Sequence, residues 1–520
     1  MYPGIYAKTT PDKPAAIRPA TGEVLTYAEL DDRSNRLAHL LRAHGVERGG
    51  HVAMFVENSL IYFDVIWACL RAGLYVTPIN THQTAENAAY VVDDCDATVL
   101  IASAALPASA ELGRLSPRCT LKLAVGGALD GFADYETSLA GQPASPIADE
   151  SIGSMMLYSS GTTGRPKGIL RPLIPGHPAD GIPAVRSRPL LFGFDSSTVY
   201  LSTAPMYHGA PFGTSAGVQS EGGTVVLMER FDGELALRLI EEYRITHSQW
   251  VPTMFIRMLK LPDEIRTRHD LSSHRSAIHA AAPCPIEVKR AMIDWWGPII
   301  DEYYSSSENT CMTLIGSADW LAHPGSVGRP RTNPIHVCDE EGHELPLGQP
   351  GLIYGELGAA AFRYHKDPAK TAEATHPFHK DWMTSGDVGY LDEDGFLYLT
   401  DRKAFLIISG GVNIYPQAIE DALALHPKVA DVAVIGVPNA DLGEEVKAVV
   451  QPAPGVEPST EVAQELMDFV CERLGRQLTP RSVDFTEELP RLPTGKLAKK
   501  ALRDSYWGGP QGATPIAARI

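Results

Sequence analysis

Three features predict an α/β fold of layered sheets followed by a small α+β unit. Apolar runs alternate with helix-period segments from His51 onward, the 520 residues exceed one ordinary domain, and the pattern starts afresh beyond Asp401. HVAMFVE reads as a buried strand, SLIYFDVIWACLRAG as an apolar-faced helix and LYVTPIN as a strand, followed by a polar helix and the strand ATVLIAS. Strands separated by helices make a parallel, doubly wound sheet, on which ligands sit beyond the carboxyl ends of the strands. The Pro/Gly-rich connection from Arg171 to Pro189 reads as a surface loop, after which TVYLSTAP, GTVVLME, ITHSQWVPT and SAIHAAAP continue the α/β pattern. Short strands and glycine turns from Gly325 to Thr400 predict a β-barrel-like unit. Beyond Asp401 come a helix after Tyr415-Pro416, strands in VADVAVIGV and EEVKAVVQP, and a helix from about Ser459. That last helix is expected to be capped by Ser459 or Thr460 and to bury Val462, Leu466, Phe469 and Val470. The tail from Gly508 lacks periodicity and is expected to fray. The chain therefore divides into residues 1–401 and 402–520.

Composition narrows the function. Apolar residues make 44% and charged residues 21% of the chain, a folded composition rather than a disordered one. Acidic residues outnumber basic ones by 63 to 45, for a net charge of −18, which disfavours nucleic acids and anionic membrane surfaces at long range. An anionic ligand then needs a local positive site. The seven cysteines are widely spaced and form no CxxC pair, so neither a disulfide framework nor a structural zinc site is indicated. The N-terminus carries no basic stretch followed by an apolar run, and the best apolar segment, Leu60 to Val76, is broken by Asp64 and Arg71. A cytoplasmic protein without a transmembrane segment is expected. Oligomeric state leaves no signal in the sequence, and a homodimer stays open.

The most informative segment is YSSGTTGRPKG, Tyr158 to Gly168, in which five hydroxyl residues and three glycines surround Lys167. Glycines let backbone amides approach a phosphate, hydroxyls add donors, and the lysine adds charge. A Walker A loop requires lysine directly after glycine and then Ser or Thr; here Arg165-Pro166 intervene and Gly168 follows, which argues against a P-loop phosphotransferase.

This segment resembles the signature of the adenylate-forming superfamily of acyl-CoA synthetases, luciferases and non-ribosomal peptide adenylation domains, and the resemblance continues in order over nearly the whole chain. It implies that Ser159, Ser160, Gly161, Thr162, Thr163, Gly164 and Lys167 hold the phosphates of ATP, with Thr162 also beside Mg²⁺. DEYYSSSENT resembles the aromatic-Gly-x-Thr-Glu motif, which puts Tyr304 on the adenine, Ser307 near the α-phosphate and Glu308 on Mg²⁺. Carboxylate is the usual protein ligand of that ion. HAAAPCP resembles the adenine-binding Gly-Gly-Ala-Pro turn, with Ala280 and Ala281 in place of the glycines and Ala282 on the base. WMTSGDVGYL implies that Asp387 binds the ribose hydroxyls. In TDRKAFLIISGGVNIYP, Asp401-Arg402 would begin the hinge of a mobile C-terminal domain, and Gly410-Gly411 would face the second substrate; Ala404 stands where the family has a charge. LPRLPTGKLAKK makes Lys496 the catalytic lysine, and PMYHGAP places His208 beside the acyl and pantetheine path.

The implied activity is an ATP-dependent acyl-CoA synthetase with ATP, Mg²⁺ and coenzyme A: a carboxylic acid is activated as acyl-AMP with release of pyrophosphate, then passed to CoA. A cation is what an attack of carboxylate on phosphate requires, since both are anions. Delivery to a carrier-protein thiol, luciferase-like oxygenation and a non-catalytic nucleotide sensor are the alternatives; retention of Glu308 and Lys496 speaks against the last. Met206, Phe212, Trp250, Met254, Phe255 and Met312 flank the motifs and are candidates for either an acyl pocket or plain core.

Overall fold

The structure, a computed structural model, describes residues 2–158, 166–358, 361–402, 405–409, 412–439, 441–491, 497–507 and 516–518. One sheet of the large N-terminal domain has six strands, in the order Ala133–Asp134, Leu121–Val125, Val99–Ser103, His51–Phe55, Tyr75–Pro78 and Ser154–Met155, all parallel. Its central strands are buried at every position because helices cover both faces. The helix Ile61–Arg71 is buried at all positions after Ile61, and the Arg71 guanidinium is paired there with Asp31 at 2.5 Å.

A second sheet runs over nine strands. Its parallel centre is ordered Ile300–Tyr304, Ser276–His279, His247–Trp250, Val199–Ser202, Thr224–Leu227 and Pro14–Arg18, with antiparallel edges made by Thr313–Ile315, Arg329–Pro330 and Glu23–Thr26. The expected β unit is an antiparallel sheet ordered Ile335–Cys338, Gly351–Glu356, Trp382–Leu391 and Leu397–Arg402. A three-stranded sheet of Leu157–Tyr158, Gly168–Leu170 and Arg363–Tyr364 stands beside it. The C-terminal unit has its own sheet and its own apolar cluster, built around Ile419, Val434, Val450 and Leu466.

Three expectations are corrected. The connection from Arg171 to Pro189 is not all loop: a helix spans Pro183–Phe192 and packs along the helix Gly209–Ser220. Pro183 occupies the first helical turn, where a missing N–H costs nothing, whereas Pro189 lies inside and hides the helical period from a sequence reading. The tail does not simply fray, since Ile516–Ala518 pairs antiparallel with Ser482–Phe485, and a backbone ladder needs no side-chain periodicity. The helix from Ser459 is where it is expected, Thr460–Leu474, with Ser459 Oγ accepting from the Val462 N–H at 3.3 Å, but its buried stripe is Ala463, Leu466, Met467 and Val470. Val462 and Phe469 are only half-buried; Phe469 instead meets His426 edge-on and carries the Arg473 guanidinium over its ring. Leu466→Ala is accordingly expected to cost about 2–5 kcal/mol, and Val462→Ala clearly less, in denaturant unfolding followed by a probe in the C-terminal unit.

Candidate functional site

The carboxyl ends of the parallel strands His247–Trp250, Ser276–His279 and Ile300–Tyr304 come out on one edge of the nine-stranded sheet, and the motifs follow directly from them. Tyr304 closes its strand. Its hydroxyl donates to Asp387 Oδ2 at 2.7 Å, across 83 residues of sequence, and the Ser385 hydroxyl donates to the same oxygen at 2.9 Å. Asp387 is 7% exposed, so its carboxylate is held by these donors and not by bulk water. Burial first, and the Asp387 charge second, hold the Tyr304 phenol well above its ordinary titration range, which keeps it a donor. In backbone register Asp387 faces Arg402, so the residues expected to begin the hinge lie beside the expected ribose carboxylate.

After Tyr304 the chain turns through Ser305 to Asn309. Ser307 is exposed, and its carbonyl accepts from Arg171 Nη2 at 3.0 Å. Glu308 is buried, and its Oε1 accepts from the Tyr364 hydroxyl at 2.9 Å. Burial, opposed by Glu308 and reinforced by the nearby Arg188 guanidinium, pulls Arg171 below its ordinary titration range. Glu308 Oε2 takes no hydrogen bond among the described residues, and a hard carboxylate oxygen of this kind suits Mg²⁺, which otherwise keeps waters and phosphate oxygens. Among the described residues no group of three His, Cys, Asp or Glu side chains could cage a metal by itself.

Ala280 to Ala282 follow the strand Ser276–His279, and Ala282 is exposed. Ala281 has a left-handed φ of 79°, a conformation that costs a side chain about 1–2 kcal/mol and fits the glycine usual at this place. The turn is stapled from beneath: Lys289, on the helix Ile286–Trp296 that follows it, pairs with Glu302 at 2.6 Å, both fully or almost fully buried. His208 precedes the helix Gly209–Ser220, half-buried, its ring 4.6 Å from that of Tyr207.

Lys167 is paired with Asp367. Ser159, Ser160, Gly161, Thr162, Thr163 and Gly164 lie outside the described residues, as do Ala404, Gly410, Gly411 and Lys496. Their flanks are described: Tyr158 pairs with Gly168, Ser409 with Val412, and Arg491 with Leu497. Of the six apolar pocket candidates all are buried, Met206, Phe212 and Met312 in one cluster and Trp250, Met254 and Phe255 in another.

Sequence reasoning missed Tyr364, Arg171, Ser385 and the Lys289–Glu302 pair. Ser385 and Arg171 adjoin recognised motifs and were within reach of a closer reading; Tyr364 arrives by a strand pairing of Arg363–Tyr364 with Ile169–Leu170 that leaves no local signal.

The family described as AMP-binding enzyme matches residues 5–359, and the AMP-binding enzyme C-terminal domain matches residues 418–496. A feruloyl-CoA synthase from an Amycolatopsis species is 33% identical, over 93% of this chain and 94% of its own length. The fatty acid–[acyl-carrier-protein] ligase ScoC of Streptomyces coeruleorubidus is 30% identical, over 97% of this chain and 95% of its own. The crystal structure of ATP-bound MatB from Rhodopseudomonas palustris superposes with a TM-score of 0.80 at 28% identity, covering 97% of this chain and 99% of that one.

Lys289→Met leaves the buried Glu302 carboxylate without its cation and should destabilise the fold by about 3–5 kcal/mol near neutral pH. Burial raises the Glu302 carboxyl and Lys289 opposes that rise, so in the variant the folded value lies further above the unfolded one. Folding then takes up a proton between the two values, and the variant regains stability as pH falls through the folded one. Denaturant unfolding at two pH values should show the gap to the parent narrowing on acidification, and Lys289→Met with Glu302→Leu should close most of it.

Proposed function

The chain belongs to the AMP-binding enzyme family, and on that premise we propose that it is an AMP-forming acid–thiol ligase that couples a small carboxylic acid to coenzyme A. The observation that carries the reading is the meeting of Tyr304 and Asp387 at the carboxyl edge of the sheet, with Glu308 four residues further along the same turn. An aromatic ring, a buried carboxylate and a carboxylate with one oxygen that takes no hydrogen bond among the described residues are what adenine, ribose hydroxyls and a phosphate-bound Mg²⁺ need.

In this reading a substrate carboxylate oxygen attacks the α-phosphorus of ATP, the bond to the bridging oxygen breaks, and pyrophosphate leaves. Lys496 spans the two anions and Lys167 exchanges Asp367 for the outgoing phosphates, so both work by positioning and by charge. Glu308 and Thr162 would hold Mg²⁺, which supplies charge neutralisation on the phosphates. Arg171, held against the Ser307 carbonyl, keeps the turn that carries Glu308 in place. A thiolate then attacks the acyl carbon, the C–S bond forms, and AMP leaves with the electron pair of the C–O bond; a free thiol with a pKa of about 8.5 supplies enough thiolate near neutral pH. No protein nucleophile is required.

The residues beyond Asp401 are proposed to turn as a mobile domain between the two steps, since Lys496 and an incoming CoA claim the same face of the adenylate. Gly410 and Gly411 would line the thiol's approach, with His208 on the acyl side. Seven cysteines without disulfides support a reducing, cytoplasmic setting. Similarity to the acyl-carrier-protein ligase favours a carrier thiol as the second reading, and the thioester assay decides between free CoA and a loaded carrier protein.

With a competent acid, CoA and Mg²⁺ the products should be AMP and pyrophosphate, and ATP–pyrophosphate exchange over a panel of carboxylic acids reads the first step alone; ADP and orthophosphate would refute the ligase. Lys496→Ala should abolish that exchange yet leave thioester formation from supplied acyl-adenylate largely intact in stopped-flow mixing, and equal loss of both steps would refute the alternation. Asp387→Ala should weaken ATP by at least one charged hydrogen bond, about 1.5–3 kcal/mol in isothermal titration, while the affinity for the acid changes little.

A further inference from the structure

The helix Pro183–Phe192 lays a half-buried guanidinium against the strand that ends in Tyr303 and Tyr304. Arg188 Nε donates to Thr214 Oγ1 at 3.0 Å, and its Cζ stands 5.9 Å from the centre of the Tyr303 ring. Phe192, one helical turn on, packs against the same ring at 5.9 Å. Beside the guanidinium Thr214, Tyr200 and Tyr303 are 1%, 0% and 5% exposed and Gly213 is buried, while Arg188 itself is half-buried. A Cβ at Gly213 would stand 2.9 Å from Arg188 Nη1 and 3.1 Å from Cζ, so the guanidinium lies directly on the backbone of the helix Gly209–Ser220.

No carboxylate among the described residues pairs with Arg188, and its two terminal nitrogens take no acceptor there. Arg171 lies close enough to repel it. One hydrogen bond to the Thr214 hydroxyl and a contact with the Tyr303 ring leave its fork of terminal donors unused among the described residues, and such a fork can take an anion. The strand geometry says which part of a ligand would meet it. Tyr304 faces Asp387, and neighbouring residues of a strand point to opposite faces, so Tyr303 and the Arg188 over it lie on the side away from the expected ribose. His208 and Gly209 begin the helix that Arg188 lies on, the same helix that borders the expected acyl path.

We infer that Arg188 selects a carboxylic acid that carries a second carboxylate, held by the two terminal nitrogens of its guanidinium while the first carboxylate is activated. This rests on the ligase reading above and names the substrate class of that site. The planar fork suits a carboxylate, which can accept both bonds at once. Gly213 is then part of the specificity, because only a residue without a Cβ leaves the guanidinium its place.

ATP–pyrophosphate exchange by the full chain decides it, with matched pairs as probes: hexanoate against adipate, and 3-phenylpropanoate against 3-(4-carboxyphenyl)propanoate. In at least one pair the parent should prefer the diacid by about tenfold or more in kcat/KM, as the loss of a charged hydrogen-bonded contact implies. Arg188→Gln and Gly213→Ala should each pull that ratio toward unity, the second without removing the charge, and Arg188→Lys should retain part of it. A parent that prefers the monoacid in every pair overturns the inference. So does an Arg188→Gln variant that lowers both members of a pair equally, which would mean a packing role or a hold on the reacting carboxylate. If no acid of any kind supports exchange, the ligase reading itself fails, and melting temperature judges the inference separately: diacids must stabilise the parent more than they stabilise Arg188→Gln, and equal shifts or none overturn it.

Discussion

The carboxylate of Asp387 takes the hydroxyls of Tyr304 and Ser385, and through it the antiparallel sheet is tied to the carboxyl edge of the nine-stranded one. A carboxylate this deeply buried needs donors to satisfy it, so the two sheets cannot slide without leaving it unsatisfied. That requirement fixes where Tyr304 ends its strand. From there the turn through Ser307 and Glu308 has its place, with Arg171 and Tyr364 reaching in from the three-stranded sheet to hold the carbonyl of one and the carboxylate of the other.

The same logic recurs beneath the Ala280–Ala282 turn. Lys289 and Glu302 gain little net stability as a pair, because each surrenders its hydration, but separating them is expensive, and this fixes the helix Ile286–Trp296 against the strand Ile300–Tyr304. The turn that leads into this helix can therefore carry Ala281 at a φ that disfavours a side chain. Rigid polar staples of this sort let a binding edge made of small residues and loops hold its shape without a ligand.

Much of the fold was legible because burial on two faces writes itself into the chain: HVAMFVE, GTVVLME and VADVAVIGV are apolar runs that only a covered strand explains. The helix at Pro183 was not legible, since Pro189 breaks its pattern and its partner face depends on a helix that starts twenty-six residues later. In the helix Thr460–Leu474, Leu466 and Val470 are buried as expected, but Ala463 and Met467 take the places expected of Val462 and Phe469, because Phe469 finds Arg473 and His426 instead of the core. Of the site, Tyr304, Glu308 and Asp387 stood out through motifs that resemble the family's, and Arg171 lies just beyond one of them, whereas Tyr364 and Arg188 reach their places by pairings between distant segments that no window of sequence contains.

The two tyrosines that end one strand carry the remaining step. Period-two alternation sends Tyr304 to Asp387 and Tyr303 to the buried chain of hydrogen bonds that Gln249 makes with Tyr303 and Tyr200, each at 3.0 Å. On the reading proposed above, neighbours in sequence serve different chemistry: one face of the strand meets the part of the site that every acid would share, and the other meets the part on which acids differ. A change at Arg188 or Gly213 bears on the second face through packing against Tyr303 and leaves the bonds of Asp387 untouched. On that reading the sheet can alter what it accepts without disturbing how it activates, because the two side chains leave the strand on opposite faces.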